Sequence, residues 1–261
     1  MATNKYYFKD LSTNVHSDIF PSSIRMLIVG KSGSGKTCLL MRMLLEKNFL
    51  NYDKLYVFCR SLNHQQEYKV LQAGFENGLR KEDMIELLDC DSALKKHSKT
   101  IDDLANGMRE YNDENDIEPS EIEAVFSNNG EDIPDPVDLD TNVRNLMIFD
   151  DIMTDKKQTL AESYYVRGRS ANCDAIYLSQ NYTHLPLHTI RTNANFMIFF
   201  KSDPKVVRQL FDDFASVDMS IEDFKKFCKD AWTKKYGFIV IDTSRDFESR
   251  NKYRKQLELE R

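Results

Sequence analysis

Eight consecutive residues, Gly30-Lys31-Ser32-Gly33-Ser34-Gly35-Lys36-Thr37, carry the spacing G-x-x-x-x-G-K-[ST] and constrain the fold more than any other stretch. Glycines at these points let the backbone wrap an anion and turn its N–H groups inward. A helix starting at Lys36 aims its positive end at the same place. Before the loop, Arg25-Met26-Leu27-Ile28-Val29 is an apolar run suited to a buried strand. After it, Cys38-Leu39-Leu40-Met41-Arg42-Met43-Leu44-Leu45 has apolar residues at helical spacing. Strand, glycine loop and helix are the context that a phosphate-binding P-loop requires. Gly30 through Cys38 are therefore the candidate nucleotide-binding residues. Lys36 has the reach for the β- and γ-phosphates, and Thr37 offers a hydroxyl to Mg²⁺. ATP and Mg²⁺ are the expected ligands.

Such a site also needs a carboxylate. Leu146-Met147-Ile148-Phe149 predicts a buried strand, and Asp150-Asp151 close it, the Walker B pattern. Asp150 is expected to hold Mg²⁺ through its water shell, and Asp151 to orient or deprotonate the attacking water. Gln180 follows a further strand, Asp174–Ser179. Ligands of open parallel sheets gather at the carboxyl ends of strands, so Gln180 is positioned to sense a γ-phosphate. Arg167 and Arg169, in Tyr165-Val166-Arg167-Gly168-Arg169-Ser170, precede the same strand and fall at its opposite end. They are read as arginine fingers given to a neighbour's nucleotide, which requires a homo-oligomeric ring.

Strands alternating with helices predict an α/β fold, a RecA-like P-loop NTPase with a mostly parallel central sheet and helices on both faces. The expected organisation is a lead-in over 1–23, an ATPase domain over 24–244 and a charged tail over 245–261, helical or frayed. Within the domain, a stretch at about 95–142 reads as an acidic, mobile insertion, partly helical at Glu118–Phe126. Between Ile101 and Asp140 there are fourteen acids and one base, Arg109, a net −13 inside a chain of −6. The remainder is +7, basic enough to meet DNA. No apolar run reaches the length of a membrane helix, and Met1–Phe8 lacks a signal-peptide layout. Five scattered cysteines form no zinc pattern, Cys38 and Cys59 are expected to be buried free thiols, and a reducing intracellular compartment follows.

The ordered set of P-loop, Asp150-Asp151, Arg167-Gly168-Arg169, Ser179-Gln180 and Leu185-Pro186-x-x-x-Ile190-Arg191-x-Asn193 resembles one family. It is similar to the DNA-packaging ATPases of large eukaryotic DNA viruses, virophages and Maverick/Polinton-type elements, in the FtsK–HerA superfamily. The resemblance runs from about Ile24 to Asp242. It implies a pentameric or hexameric ring that hydrolyses ATP and threads double-stranded DNA into a preformed capsid, with a capsid or portal component as partner. It implies Lys36, Thr37, Asp150, Asp151 and Gln180 acting in cis, with Arg169 or Arg167 in trans. Arg191 and Asn193 would shape the site or the subunit contact. Ser170 stands where the family often has histidine, which leaves the choice of finger open. Asn181, Tyr182 and His184 are candidate pore residues, and Arg245, Arg250, Lys252, Arg254 and Lys255 candidate contacts to DNA or a portal. A GTPase is disfavoured because Asn251-Lys252-Tyr253-Arg254 lacks the acid of a guanine-reading motif. A nucleotide kinase and a non-packaging helicase or pump remain as alternatives. Lys31 is read as a solvated loop lysine rather than the second lysine of a partition ATPase.

Overall fold

The computed structural model describes residues 16–47, 49–89, 100–152, 158–246 and 251–258. Among the described residues eight strands make one sheet: β1 (Arg25–Val29), β2 (Lys54–Cys59), β3 (Glu123–Ser127), β4 (Asn145–Asp150), β5 (Cys173–Ser179), β6 (Phe196–Phe200), β7 (Phe238–Asp242) and β8 (Tyr253–Lys255). Their order is β3-β2-β4-β5-β1-β6-β7-β8. The first six run parallel, and β7 and β8 add an antiparallel edge. The central strands are buried along their whole length, as β4 (NLMIFD) and β5 (CDAIYLS) illustrate. Unbroken apolar runs of this kind suit a sheet covered on both faces.

Side chains alternate between the two faces. Met26 and Ile28 of β1 join a core with Leu40, Met43 and Leu44 of α1 (Lys36–Leu45), Tyr68 and Leu71 of α2 (Gln66–Glu76), and Met84 and Leu87 of α3 (Lys81–Asp89). Leu27 and Val29 point the other way. They join Tyr164 of α5 (Thr159–Arg167), Leu210 of α6 (Pro204–Leu210) and Phe224 of α7 (Ile221–Ala231).

Two expectations are corrected here. From Thr100 onward, the stretch read as an acidic insertion is built into the domain; residues 95–99 lie outside the described residues. Helix α4 (Ile101–Glu114) opens with a capping box between Thr100 and Asp103 and buries Ala105 against the first core. Residues 123–126, the end of the stretch expected to be helical, belong to the edge strand β3, parallel to β2 with Val125 opposite Tyr56. The acids face solvent while Ala124 and Phe126 pack inward.

The tail is corrected as well. Residues 253–255 form β8, in which Arg254 is fully buried. Its Nη1 donates to the Ile19 carbonyl at 3.0 Å, and its guanidinium stands 5.2 Å from the Phe196 ring and 3.6 Å from the Asp242 carboxylate. Arg245 also pairs with Asp242, at 2.8 Å. Lys252 pairs with Asp218 at 2.6 Å, and Lys255 with Asp230. These cations serve the fold of their own chain; Arg250 lies outside the described residues.

Candidate active site

The parallel sheet brings three strand ends together. Strand β5 lies between β1 and β4. Gln180, after β5, therefore stands between the P-loop after β1 and the Asp150-Asp151 pair that closes β4. The Gly30 N–H donates to the Ser179 carbonyl at 3.0 Å and ties two of these ends. Ser32, Gly33, Lys36, Thr37, Asp150, Asp151 and Gln180 line one cleft of about 540 Å³, with Gln65 and Leu178.

The loop's glycines are required by geometry. A Cβ at Gly30 would stand 2.5 Å from Ser34 Oγ and 2.8 Å from Phe200 Cβ. Gly35 has φ +99°, a left-handed value that suits glycine, immediately before α1. Lys36 Nζ folds back to donate to the carbonyls of Gly30 at 2.7 Å and Lys31 at 3.1 Å. Burial lowers its pKa, and the nearby charges of Asp150 and Asp151 oppose that shift. The Ser34 hydroxyl is buried with no hydrogen-bond partner among the described residues. Lys31 pairs with Asp203 at 2.9 Å on the surface, outside the cleft.

Asp150 is buried, and Asp151 is exposed with φ +55°. Aspartate tolerates this left-handed conformation better than most residues. The Tyr68 hydroxyl donates to Asp150 Oδ2 at 2.9 Å. Burial pushes the Asp150 carboxyl up to about 6, while Tyr68 and Lys36 hold it down in part. A buried carboxylate with one oxygen committed to a phenol, beside a lysine and a threonine hydroxyl, suits a cation held largely by water and phosphate oxygens. Among the described residues, no group of three or more His, Cys, Asp or Glu side chains able to hold a metal occurs.

Gln180 is exposed at the cleft mouth. The Ser179 hydroxyl bridges the Asn181 carbonyl at 3.0 Å and N–H at 3.1 Å, fixing the turn that presents it.

Sequence reasoning missed Tyr68 and Gln65. Gln65 Nε2 donates to Ser61 Oγ at 2.6 Å, just before α2. Neither residue belongs to a short motif, and Tyr68 meets Asp150 across 82 positions of sequence.

Several other candidates do not line the cleft. Arg167 ends α5 and pairs with Asp135 at 3.0 Å. Arg169 is exposed in the short turn before β5, a strand of seven residues spanning about 20 Å from the Gln180 end. Its charge, after burial, lowers the pKa of Arg25 at the same end of the sheet. Arg191 is buried, paired with Asp213 and packed 4.3 Å from the Tyr182 ring. Asn193 accepts from Arg25 Nε through its carbonyl at 2.6 Å. Both make contacts within their own subunit, and neither lines the nucleotide cleft.

Of the candidate pore residues, Tyr182 is buried with its hydroxyl on Asp213 at 2.7 Å. Asn181 accepts from Thr183, and His184 is exposed. Cys38, expected to be buried, is exposed on α1; Cys59, Cys173 and Cys228 are buried free thiols, and Cys90 lies outside the described residues. Among the described residues no helix is long and apolar enough to cross a membrane.

No family model and no curated protein sequence matches the chain. The solved structures similar to it include the genome packaging NTPase B204 from Sulfolobus turreted icosahedral virus 2 in complex with AMP. That match has 12% identity and a TM-score of 0.49, covering 89% of this chain and 96% of that one. The DNA-packaging ATPase B204 from Sulfolobus turreted icosahedral virus follows at 14% identity and 0.47, covering 84% and 92%. VirB4 of Thermoanaerobacter pseudethanolicus is similar at 12% and 0.42, covering 86% and 87%. At these values the likeness adds nothing to the reading of individual residues. The chain's own strand order and P-loop make the fold that of a P-loop NTPase with one strand, β5, inserted between the P-loop strand and the Asp150 strand.

Proposed function

We propose that this protein is a Mg²⁺-dependent ATPase that moves double-stranded DNA as a homo-oligomeric ring, in the packaging of a viral-type genome into a preformed capsid. One observation carries the ATPase reading: the P-loop, Asp150, Asp151 and Gln180, scattered over 150 residues, converge on a single cleft. In this reading Lys36 leaves the Gly30 and Lys31 carbonyls for the phosphates, and the loop N–H groups and Ser34 hydroxyl complete the cradle. Thr37 and Asp150 would hold Mg²⁺, which would neutralise phosphate charge. Asp151 orients the attacking water and accepts its proton, and Gln180 reports the state of the γ-phosphate. Arg169 or Arg167, remote from the cleft of its own subunit, serves a neighbour's. The ring, the DNA and a capsid or portal partner rest on the sequence resemblance.

The test is ATP hydrolysis by the purified protein across a concentration series, with and without double-stranded DNA. Turnover per subunit that climbs with concentration and rises with DNA supports a ring translocase. Turnover indifferent to both removes the motor reading and favours a monomeric nucleotide kinase.

A further inference from the structure

A second cleft, of about 670 Å³, opens on the other side of the P-loop. Gly33, Lys36 and Thr37 line both clefts, so the two meet there. Its far wall is the turn between α7 and β7, with Lys234, Lys235 and Tyr236, and Phe200 and Phe238 lie behind. That turn is built to hold its place. Trp232 Nε1 donates to the Phe199 carbonyl at 3.1 Å, and the Gly237 N–H donates to the Lys234 carbonyl at 3.0 Å. A Cβ at Gly237 would stand 2.1 Å from the Ala231 carbonyl oxygen, so only glycine closes it.

Tyr236 has φ +61°, a conformation rare for a bulky residue, and its side chain is not spent in the core: the residue is 56% exposed. Its Cδ1 approaches within 3.4 Å of the Cβ position of Gly35, at the mouth of the P-loop. Lys235 Nζ lies 4.9 Å from its ring centroid. Arg42, Lys234 and Lys235 outnumber Glu67 on the lining, which gives the cleft a positive balance beside the phosphates.

We infer that this second cleft is the nucleobase site, with Tyr236 as the ring on which a purine stacks. The inference rests on the nucleotide reading above. A γ-phosphate held among Asp150, Asp151 and Gln180 leaves the α-phosphate directed through the Gly33–Lys36–Thr37 junction, and the nucleoside emerges into the second cleft. The base takes the place of the Lys235 ammonium over the ring, because stacking on an aromatic outweighs an exposed cation–π contact. The ammonium is then free for the α-phosphate. The Gln256 amide on the lining both donates and accepts, so it meets either purine edge. A pyrimidine offers less surface to stack.

Calorimetric titration of the full chain with ATP, UTP and inorganic tripolyphosphate tests this in the wild type, Tyr236→Asn, Tyr236→Phe and Lys36→Ala. Asparagine accepts the left-handed backbone, so Tyr236→Asn removes the ring without adding strain. The wild type should prefer ATP to UTP. Tyr236→Asn should weaken ATP about tenfold, abolish that preference and leave tripolyphosphate within about twofold. Tyr236→Phe should behave as wild type. Unchanged ATP affinity in Tyr236→Asn, or an equal loss for ATP and tripolyphosphate, overturns the assignment. If the wild type binds neither ligand and Lys36→Ala changes nothing, the nucleotide reading itself falls.

Discussion

Burial raises the Asp150 carboxyl to about 6, against the opposing pull of Tyr68 and Lys36. Because the folded value lies above the unfolded one, the ligand-free native state holds this proton more tightly. Its contribution to stability is therefore fullest below about pH 4 and is lost as pH rises toward 6. At neutral pH the charged carboxylate destabilises the empty protein. Asp150→Asn, which keeps an acceptor for Tyr68, should stabilise the nucleotide-free protein by about 1–3 kcal/mol at pH 7.5 and abolish hydrolysis. Urea unfolding at pH 7.5 and pH 4 measures this; an Asn variant less stable than wild type at pH 7.5 contradicts it. Tyr68→Phe tests the same contact from its other end. It removes one hydrogen bond from a carboxylate and keeps the ring, so stability should change by about 1 kcal/mol. Hydrolysis should need several-fold more Mg²⁺, and a Mg²⁺ titration at saturating ATP reads that shift.

Elements differ in how much of them the sequence declares. Strands β4, β5 and β6 are legible because burial on both faces demands an unbroken apolar run. The P-loop is legible because its glycines answer backbone geometry that nothing else satisfies. Strand β3 is hidden because it is an edge: five residues, one of them an exposed acid, inside a stretch whose charge suggests a solvated spacer. Strand β8 is hidden because Tyr-Arg-Lys reads as surface until Asp242, Ile19 and Phe196 are brought around Arg254. Tyr68 is hidden for the same reason, since its partner is fixed by the sheet and not by spacing. Burial pushes the Arg254 pKa down to about 10, still far above neutrality, so the cation persists in the core. Arg254→Ala leaves Asp242 with Arg245 and Ser244 alone and opens a void beside Phe196. The expected cost is about 3 kcal/mol in denaturant unfolding. If the residue instead faces DNA, the variant should keep its stability and lose DNA affinity with a shallower salt dependence.

At the scale of the whole molecule, the placement of charge matters more than its sum. The nucleotide cleft lies at the carboxyl ends of the parallel strands, and Arg169 at the amino end of β5. No side-chain rotation carries a guanidinium across a strand of about 20 Å, so an Arg169 that acts on a phosphate acts on another subunit's. Sharing of this kind has a signature that a single polypeptide cannot produce. Arg169→Ala should retain nucleotide binding and lose hydrolysis by about 10³-fold, the scale of a missing finger. Lys36→Ala should lose both. Mixed in equal amounts, the two inactive variants should assemble rings in which a Lys36→Ala subunit presents its intact Arg169 to the intact cleft of an Arg169→Ala neighbour. Roughly a quarter of randomly filled junctions then pair an intact finger with an intact cleft, and hydrolysis should return to about that fraction of wild type. A companion mixture with Arg167→Ala separates the two arginines. Arg167 is held by Asp135 within its own subunit, so its loss should leave most of the activity in place. A mixture of Arg169→Ala and Lys36→Ala that stays inactive, with ring assembly shown by sedimentation, would mean that each subunit carries its own complete site.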